Sequence, residues 1–325
     1  MRAVLCKAFE GIEALSMAEV ADPRPAADEV LVAVNAASVS YMDYLMTCGG
    51  YQMRPPLPYV PGTDGAGVVI ACGENVTRFR PGDRVGCEGW FGSFAELMVA
   101  KESSTVLLPP SVDFAVGSTI LQAYLTAWYA LLGRARMQAG ETVLVTGAAG
   151  GVGLACVELA HFLGGRVIAV VGSAAKAAIV RRYGADEVVD CSCEDVRQRV
   201  RALTGDEGID VCVDSVGGAL FATLARLMRW NGRLMPIGFT SGEIPSLAMN
   251  LPLLKNYSIV GVFIGPWKER FADDARSAAE TVMAWVGDGK LRPHIDRVLP
   301  LERAAEALNA VASRNAQGRI VLRVK

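Results

Sequence analysis

ETVLVTGAAGGVGLACVELAHFLGGRVIAVVGS, residues 141–173, decides the fold. Its first apolar run, TVLVT at 142–146, is short and β-branched, as a strand buried on both faces of a parallel sheet should be. Gly147, Gly150 and Gly153 follow at a spacing of three. Val152, Cys156, Leu159 and Leu163 then fall on one face of a helix. Gly164 and Gly165 stop that helix, and 166–171 is a second apolar strand. Strand, glycine turn, helix, strand sets backbone N–H groups and a helix N-terminus against a pyrophosphate. The spacing is GxxGxxG rather than GxGxxG, and it leaves one glycine each for the turn, the phosphate approach and helix–strand packing. Such glycines can serve packing alone, but the full context favours a dinucleotide. Gly150, Gly151, Val152 and Gly153 are the expected pyrophosphate contacts.

The end of the second strand bears on which dinucleotide. An NAD site carries an acidic residue there for the ribose 2′-OH. This chain has Gly172 and Ser173, then Lys176, and no carboxylate between Glu158 and Asp186. A hydroxyl and a lysine suit a 2′-phosphate, so NADPH is the expected cofactor. Arg181 and Arg182 lie further on and read equally well as a solvated helix face.

A chain of 325 residues, 52% hydrophobic, has room for two globular domains. A net charge of −2 without a basic tract argues against a nucleic-acid partner. Residues 114–132 carry no charge, but they include Gly117, Ser118, Thr119, Gln122 and Thr126, and they read as a buried helix rather than a membrane span. The N-terminus lacks the apolar core of a signal peptide, and none of the eight cysteines forms a CxxC. A cytoplasmic enzyme with reduced thiols is expected.

Up to about residue 110 the chain reads as short strands between turns, at 2–7, 29–34, 61–72, 84–87 and 94–100, with one short helix within 38–48. That spacing suggests a small barrel or sandwich. From Asp113 onward strands and helices alternate, as in a doubly wound sheet. Further strands are expected at 208–213, 232–239 and 257–264. Helices at 273–286 and 302–312, and strands near 297–299 and at 319–324, close the chain.

Four stretches, YQMRPPLPYVPGTDGAG at 51–67, GDRV at 82–85, LTAWYAL with GETVLVTGAAGGVG, and DSVGG at 214–218, resemble the medium-chain dehydrogenase/reductase superfamily. The run GFTSGEIPSLAMNLPLLKNYSIVGVFIG at 238–265 is similar to bacterial NADPH:quinone oxidoreductases of the zinc-free, ζ-crystallin-like branch. The resemblance implies an α/β protein with a GroES-like, β-rich catalytic domain and a Rossmann domain with a doubly wound parallel sheet. The implied segments are 1–122 (catalytic), 123–264 (Rossmann, NADPH-binding) and 265–325 (return to the catalytic domain), with the cofactor in the cleft. It also implies a homodimer or higher oligomer, commonly paired through the last Rossmann strands. Val216, Gly238 and Phe239 join the cofactor contacts, Val262 and Phe263 supply backbone to the nicotinamide carboxamide, and Arg314 aligns with an arginine that reaches the cofactor. Zinc-dependent relatives carry a histidine where Thr63 stands and a cysteine near 38–40. The only histidines here, His161 and His294, are not placed to replace them, so no metal is expected. Quinone oxidoreductases often have asparagine at Ser40 and tyrosine at Leu45, while Tyr51 and Thr126 match. A tyrosine that helps hold the 2′-phosphate is replaced by Cys191.

Without a metal or a placed base, oxidation of a simple alcohol is poorly supported. A quinone or enone spreads the arriving charge over its own oxygen, and then needs alignment and a hydrogen-bond donor. Tyr51, Ser40 and Thr126 are the expected donors, with Tyr51 either a proton source or a wall of the pocket. The expected activity is hydride transfer from NADPH to a small quinone or other conjugated carbonyl. The alternatives are reduction of an enone or enoyl thioester at C=C, and an NADPH-binding regulatory or structural protein with little turnover.

Overall fold

The computed structural model describes residues 1–325. In chain order the strands are β1 (Arg2–Cys6), β2 (Leu15–Glu19), β3 (Glu29–Val39), β4 (Asp64–Cys72), β5 (Arg84–Glu88), β6 (Leu97–Lys101) and β7 (Thr105–Leu107), with helix α1 (Tyr41–Thr47) after β3. Then follow β8 (Thr142–Thr146), β9 (Arg166–Val171), β10 (Glu187–Asp190), β11 (Ile209–Asp214), β12 (Met228–Pro236) and β13 (Ser258–Ile259). Last come β14 (Ile295–Pro300) and β15 (Arg319–Arg323). Contacts divide the chain into one unit of Met1–Leu125 with Trp267–Lys325, and a second of Thr126–Pro266.

The first unit holds a seven-stranded sheet in the order β14-β15-β3-β4-β5-β7, with β6 also on β3. Its pairs are antiparallel except for β14 and β15. The last strand therefore returns to one of the first: Ile320 sits opposite Val39 and Leu322 opposite Ala37. Val30, Val32 and Val34 of β3 alternate into the core with Val69, Phe94, Met98, Leu308 and Ile320. This period of two marks a sheet with one buried face. The β3 stretch at 36–39 is buried throughout, where β15 pairs with it.

The second unit is a six-stranded parallel sheet in the order β10-β9-β8-β11-β12-β13. Strand order reverses between β8 and β11, and ligands bind such sheets beyond the strand C-termini at that reversal. The central strands are buried almost end to end, as TVLVT and RVIAVV predict. Residues 257–264 do not form the long strand expected of them. Only Ser258–Ile259 pair with β12, and a helix starts at Ile264. The uncharged run at 114–132 is broken into helical segments rather than one helix, and no helix is long and apolar enough to cross a membrane. All eight cysteines are free.

Candidate active site

At the switch point, Gly147 and Gly153 take the turn and packing roles that the spacing predicts. Gly147 takes a left-handed φ of 57° at the turn. Gly153 sits where a Cβ would lie 2.2 Å from the Gly147 carbonyl oxygen, so helix and strand close together only without a side chain. Gly150 caps the helix Gly151–Phe162 from an extended conformation, with no side-chain cap. The first N–H groups of a helix have no partner within it. Those of Gly151, Val152 and Gly153 are therefore offered to an anion, favoured by the helix dipole.

The neighbouring strand end is tied to this turn by a residue that sequence reading overlooked. Asp214, fully buried at the end of β11, accepts from Thr146 Oγ1 at 2.5 Å, from Val216 N at 3.1 Å and from Gly217 N at 3.2 Å. Ser215 N donates to Thr146 Oγ1 and Ser215 Oγ to the Thr146 carbonyl. Burial raises the Asp214 carboxyl above the usual range, against the opposing effect of these hydrogen bonds. The carboxylate thus fixes the 215–218 turn beside the glycine turn that follows β8. A strand ending in Asp before Ser-Val-Gly-Gly was the available signal. Val216 belongs to the same framework: Ser241 N donates to the Val216 carbonyl, and Thr240 N to that of Ser215, against which Gly238 packs, a Cβ there lying 3.5 Å from the Ser215 oxygen.

Ser173 follows β9 and precedes a single helical turn that ends at Lys176, and both are half-buried. Cys191 is exposed, and its N–H bonds to the Val171 carbonyl at the end of β9. No carboxylate lies in the 172–176 turn. Val262 is half-buried and Phe263 exposed, just after Gly261, whose carbonyl accepts from Arg134 Nε.

Tyr51 and Ser40 belong to the first unit, whereas buried Thr126 opens the second. Arg314 is exposed at the end of the helix Ala304–Ala312, with φ 59°. Tyr51 is half-buried, its ring 6.5 Å from that of Trp90, and burial and the Glu88 carboxylate raise its phenol above the ordinary value. No protein group takes the Tyr51 hydroxyl.

Ser40 requires correction as an oxyanion donor. Its hydroxyl donates to Asp43 Oδ2 at 2.7 Å and accepts from Asp43 N, closing a capping box on α1. The one hydroxyl proton is spent on the cap. Beneath it lies a buried charge cluster. Asp43 and Asp64 both titrate above the usual carboxylate range because they are buried, and Arg319 opposes the shift in each. Arg319 is itself buried; Nη1 donates to the Val39 carbonyl, while Nε and Nη2 meet no protein acceptor.

Residues 26–110 match the alcohol dehydrogenase GroES-like domain, and residues 151–280 match a model described as zinc-binding dehydrogenase. Over 327 aligned residues the chain is 36% identical to quinone oxidoreductase-like protein 2 of Rattus norvegicus, covering 100% of this chain and 92% of the relative. It is 33% identical to the quinone oxidoreductase of Homo sapiens, over 99% of this chain and 97% of that one. The chain belongs to the quinone oxidoreductase family of the medium-chain dehydrogenase/reductase superfamily.

Among solved structures, quinone oxidoreductase of Escherichia coli complexed with NADPH matches this family member at a TM-score of 0.91 and 25% identity, covering 100% of both chains. A mycobacterial protein complexed with NADPH matches at 0.92 and 29% identity, again over 100% of both. The two units are therefore a GroES-like domain and a Rossmann domain. The zinc named in one matching family does not fit this chain. Thr63 stands where zinc-dependent relatives carry histidine, and no three His, Cys, Asp or Glu side chains are grouped to hold a metal ion.

Proposed function

We propose that this chain uses NADPH to reduce quinones and other conjugated carbonyls. The reading is carried above all by full-length relatedness to quinone oxidoreductases, two solved relatives holding NADPH. The pyrophosphate falls to the N–H groups of Gly151, Val152 and Gly153, with Gly150, whose own N–H donates to the Gly147 carbonyl at 2.9 Å, lying against it through its backbone, and the 2′-phosphate falls to Ser173 and Lys176. Val216, Gly238, Phe239, Val262, Phe263 and Arg314 complete the proposed cofactor contacts. When bound, NADPH supplies a hydride.

The chain's own part is to orient the acceptor and to hydrogen-bond the oxygen on which charge develops. Tyr51 is the side chain for this, because its hydroxyl is uncommitted. Thr126 is a second proposed donor, while Ser40 serves the helix cap. A phenol stabilises a delocalised oxyanion well, and the localised alkoxide of a simple ketone poorly. NADPH consumption should therefore be measured with 1,4-benzoquinone, 9,10-phenanthrenequinone, a linear enone and a saturated ketone of similar size. Turnover is expected with at least one conjugated acceptor and not with the ketone; equal rates on the ketone would sink the reading. Tyr51→Phe should lower kcat with an enone, which needs a proton, more than with a quinone. NADPH binding without turnover on any acceptor would point instead to a regulatory role.

Cofactor preference has its own test. A lysine on a 2′-phosphate contributes a charge-assisted contact of roughly 1.5–3 kcal/mol. Lys176→Ala should therefore weaken NADPH about 10- to 100-fold and leave NADH almost unchanged, as read by fluorescence titration. Equal affinity of the parent protein for NADH and NADPH would remove the argument.

A homodimer completes the proposal. The region about the edge strand β13 exposes Ile244, Met249, Leu253, Leu254 and Ile259. An apolar face of that kind on a sheet edge is the sort that a second copy covers. Light scattering should give twice the chain mass, and Leu253→Glu with Leu254→Glu should give monomer.

A further inference from the structure

The proposed acceptor residue Tyr51 is half of a pair of rings, and the other half is held from a distance in sequence. Trp90 follows β5 by two residues, and its ring centroid lies 6.5 Å from that of Tyr51, the planes inclined at 50°. Two rings at that inclination form an open corner rather than a stack. The indole Nε1 donates to Glu269 Oε1 at 3.1 Å. The adjacent Lys268 pairs with Glu88, the last residue of β5, and donates to the Leu121 carbonyl at 3.1 Å. Residues 88 and 90 are thus held by residues 268 and 269, two points of contact on one short helix, Ile264–Arg270.

The two contacts differ in strength. The Lys268 and Glu88 side chains are only 13% and 16% exposed, so water and salt screen them little. The Glu269 bond is exposed and weaker, but it fixes which way the indole faces. The turn between them is held by its backbone, Gly89 N donating to the Thr63 carbonyl and Ser93 N to that of Gly62. An indole whose N–H is given to a carboxylate is more electron-rich over its face. That suits contact with an electron-poor ring system, the chemical class that quinones belong to.

We propose that Trp90 sets the acceptor preference, forming with Tyr51 a corner that grips flat, fused, electron-poor rings, and that Glu269 and Lys268 are its positioning residues. The proposal rests on the reading that Tyr51 lies at the acceptor site. A monocyclic quinone can contact one ring of the corner, whereas a fused tricyclic one is broad enough to lie along one and abut the other.

The test compares kcat/KM for 9,10-phenanthrenequinone and tetramethyl-1,4-benzoquinone at saturating NADPH. In Trp90→Ala the preference for the tricyclic acceptor should fall about tenfold, in line with the contribution of one aromatic contact. Trp90→Phe should retain part of it. Glu269→Ala should lower the ratio about threefold through the loss of one exposed hydrogen bond, and Glu269→Gln, which keeps an acceptor oxygen, should restore it. A merely structural effect would depress both acceptors together and leave the ratio alone. The NADPH dissociation constant and melting temperature of each variant show whether it is folded. A ratio within twofold of the parent in Trp90→Ala would overturn the proposal. If neither quinone is turned over, the acceptor reading has failed, and the same ratio is then taken from dissociation constants measured with NADP⁺ present. A tenfold change there supports the role of Trp90; no change, or no binding of either quinone, overturns it.

Discussion

Gly153→Ala is expected to cost about 3 kcal/mol of stability and to weaken NADPH at least tenfold, through one methyl group. The added Cβ would lie 2.2 Å from the Gly147 oxygen, 2.8 Å from its carbonyl carbon and 2.9 Å from the Ala148 Cα. All three are backbone atoms of the turn, so no side chain can rotate away. The helix must lift off the end of β8, and the N–H groups proposed to hold the pyrophosphate move with it. Gly150→Ala is the control. Its Cβ would meet only the Gly147 oxygen, at 3.3 Å, and its backbone is already extended, with φ −79° and ψ 172°. Stability should change by less than about 1 kcal/mol, as at other N-cap positions, while NADPH affinity falls because the methyl group stands in otherwise open space before the helix. Urea midpoints and NADPH titration on both variants separate the effects. A parent-like midpoint for Gly153→Ala would mean that the helix has room to move, and that the glycine is there for another reason.

These two positions also show what local sequence carries. The β8 turn and helix were legible because the apolar period changes from continuous to 3.6 within a few residues, with glycines marking the change. Ser40 was misjudged as a donor although its sequence held the answer: Ser40-Tyr41-Met42-Asp43 is a capping-box pattern, and the side chain follows it. The expected strand at 257–264 stops after two paired residues, because β12 offers partners only for Ser258 and Ile259 and Gly261 follows. Other features have no local signature. Nothing in RIVLR at 319–323 says that it lies against β3; the resemblance implied only a return to the first domain, and the pairing is seen in the structure. Lys268 pairing with Glu88, Glu269 bonding to Trp90, and the buried Arg319 charge acting on the two aspartates each join residues far apart in sequence. Charge complementarity at such separation leaves no period to read. The acceptor side of the candidate site was accordingly less legible than the nucleotide side, which lies mostly within one βαβ unit.

The most consequential of those remote residues is Arg319. Arg319→Met should cost about 3 kcal/mol at pH 8, because it leaves buried Asp43 without a nearby cation and Asp64 with only Lys268, which is paired to Glu88. Arg319, Asp43 and Asp64 are 5%, 1% and 1% exposed, so water does little to replace the lost charge. The effect has a definite pH dependence. Both aspartates titrate above their unfolded value of about 3.9, because burial disfavours the charged form. A carboxyl raised in this way contributes stability below its unfolded value, and that contribution is lost as pH rises through the folded one. Arg319 holds both folded values down, so its removal lifts them and widens the pH range over which stability is lost. The variant should therefore come closest to the parent near pH 5, with less than half of the deficit seen at pH 8. Glu88 also faces Asp64, with Lys268 as its own counter-ion, and is present in parent and variant alike. Arg319→Lys keeps a cation but loses the guanidinium bond to the Val39 carbonyl, and should recover part of the loss. Urea unfolding at pH 5, 6.5 and 8 measures all of this. A deficit that is the same at every pH would show that Arg319 stabilises the sheet by packing alone, with Asp43 and Asp64 indifferent to its charge.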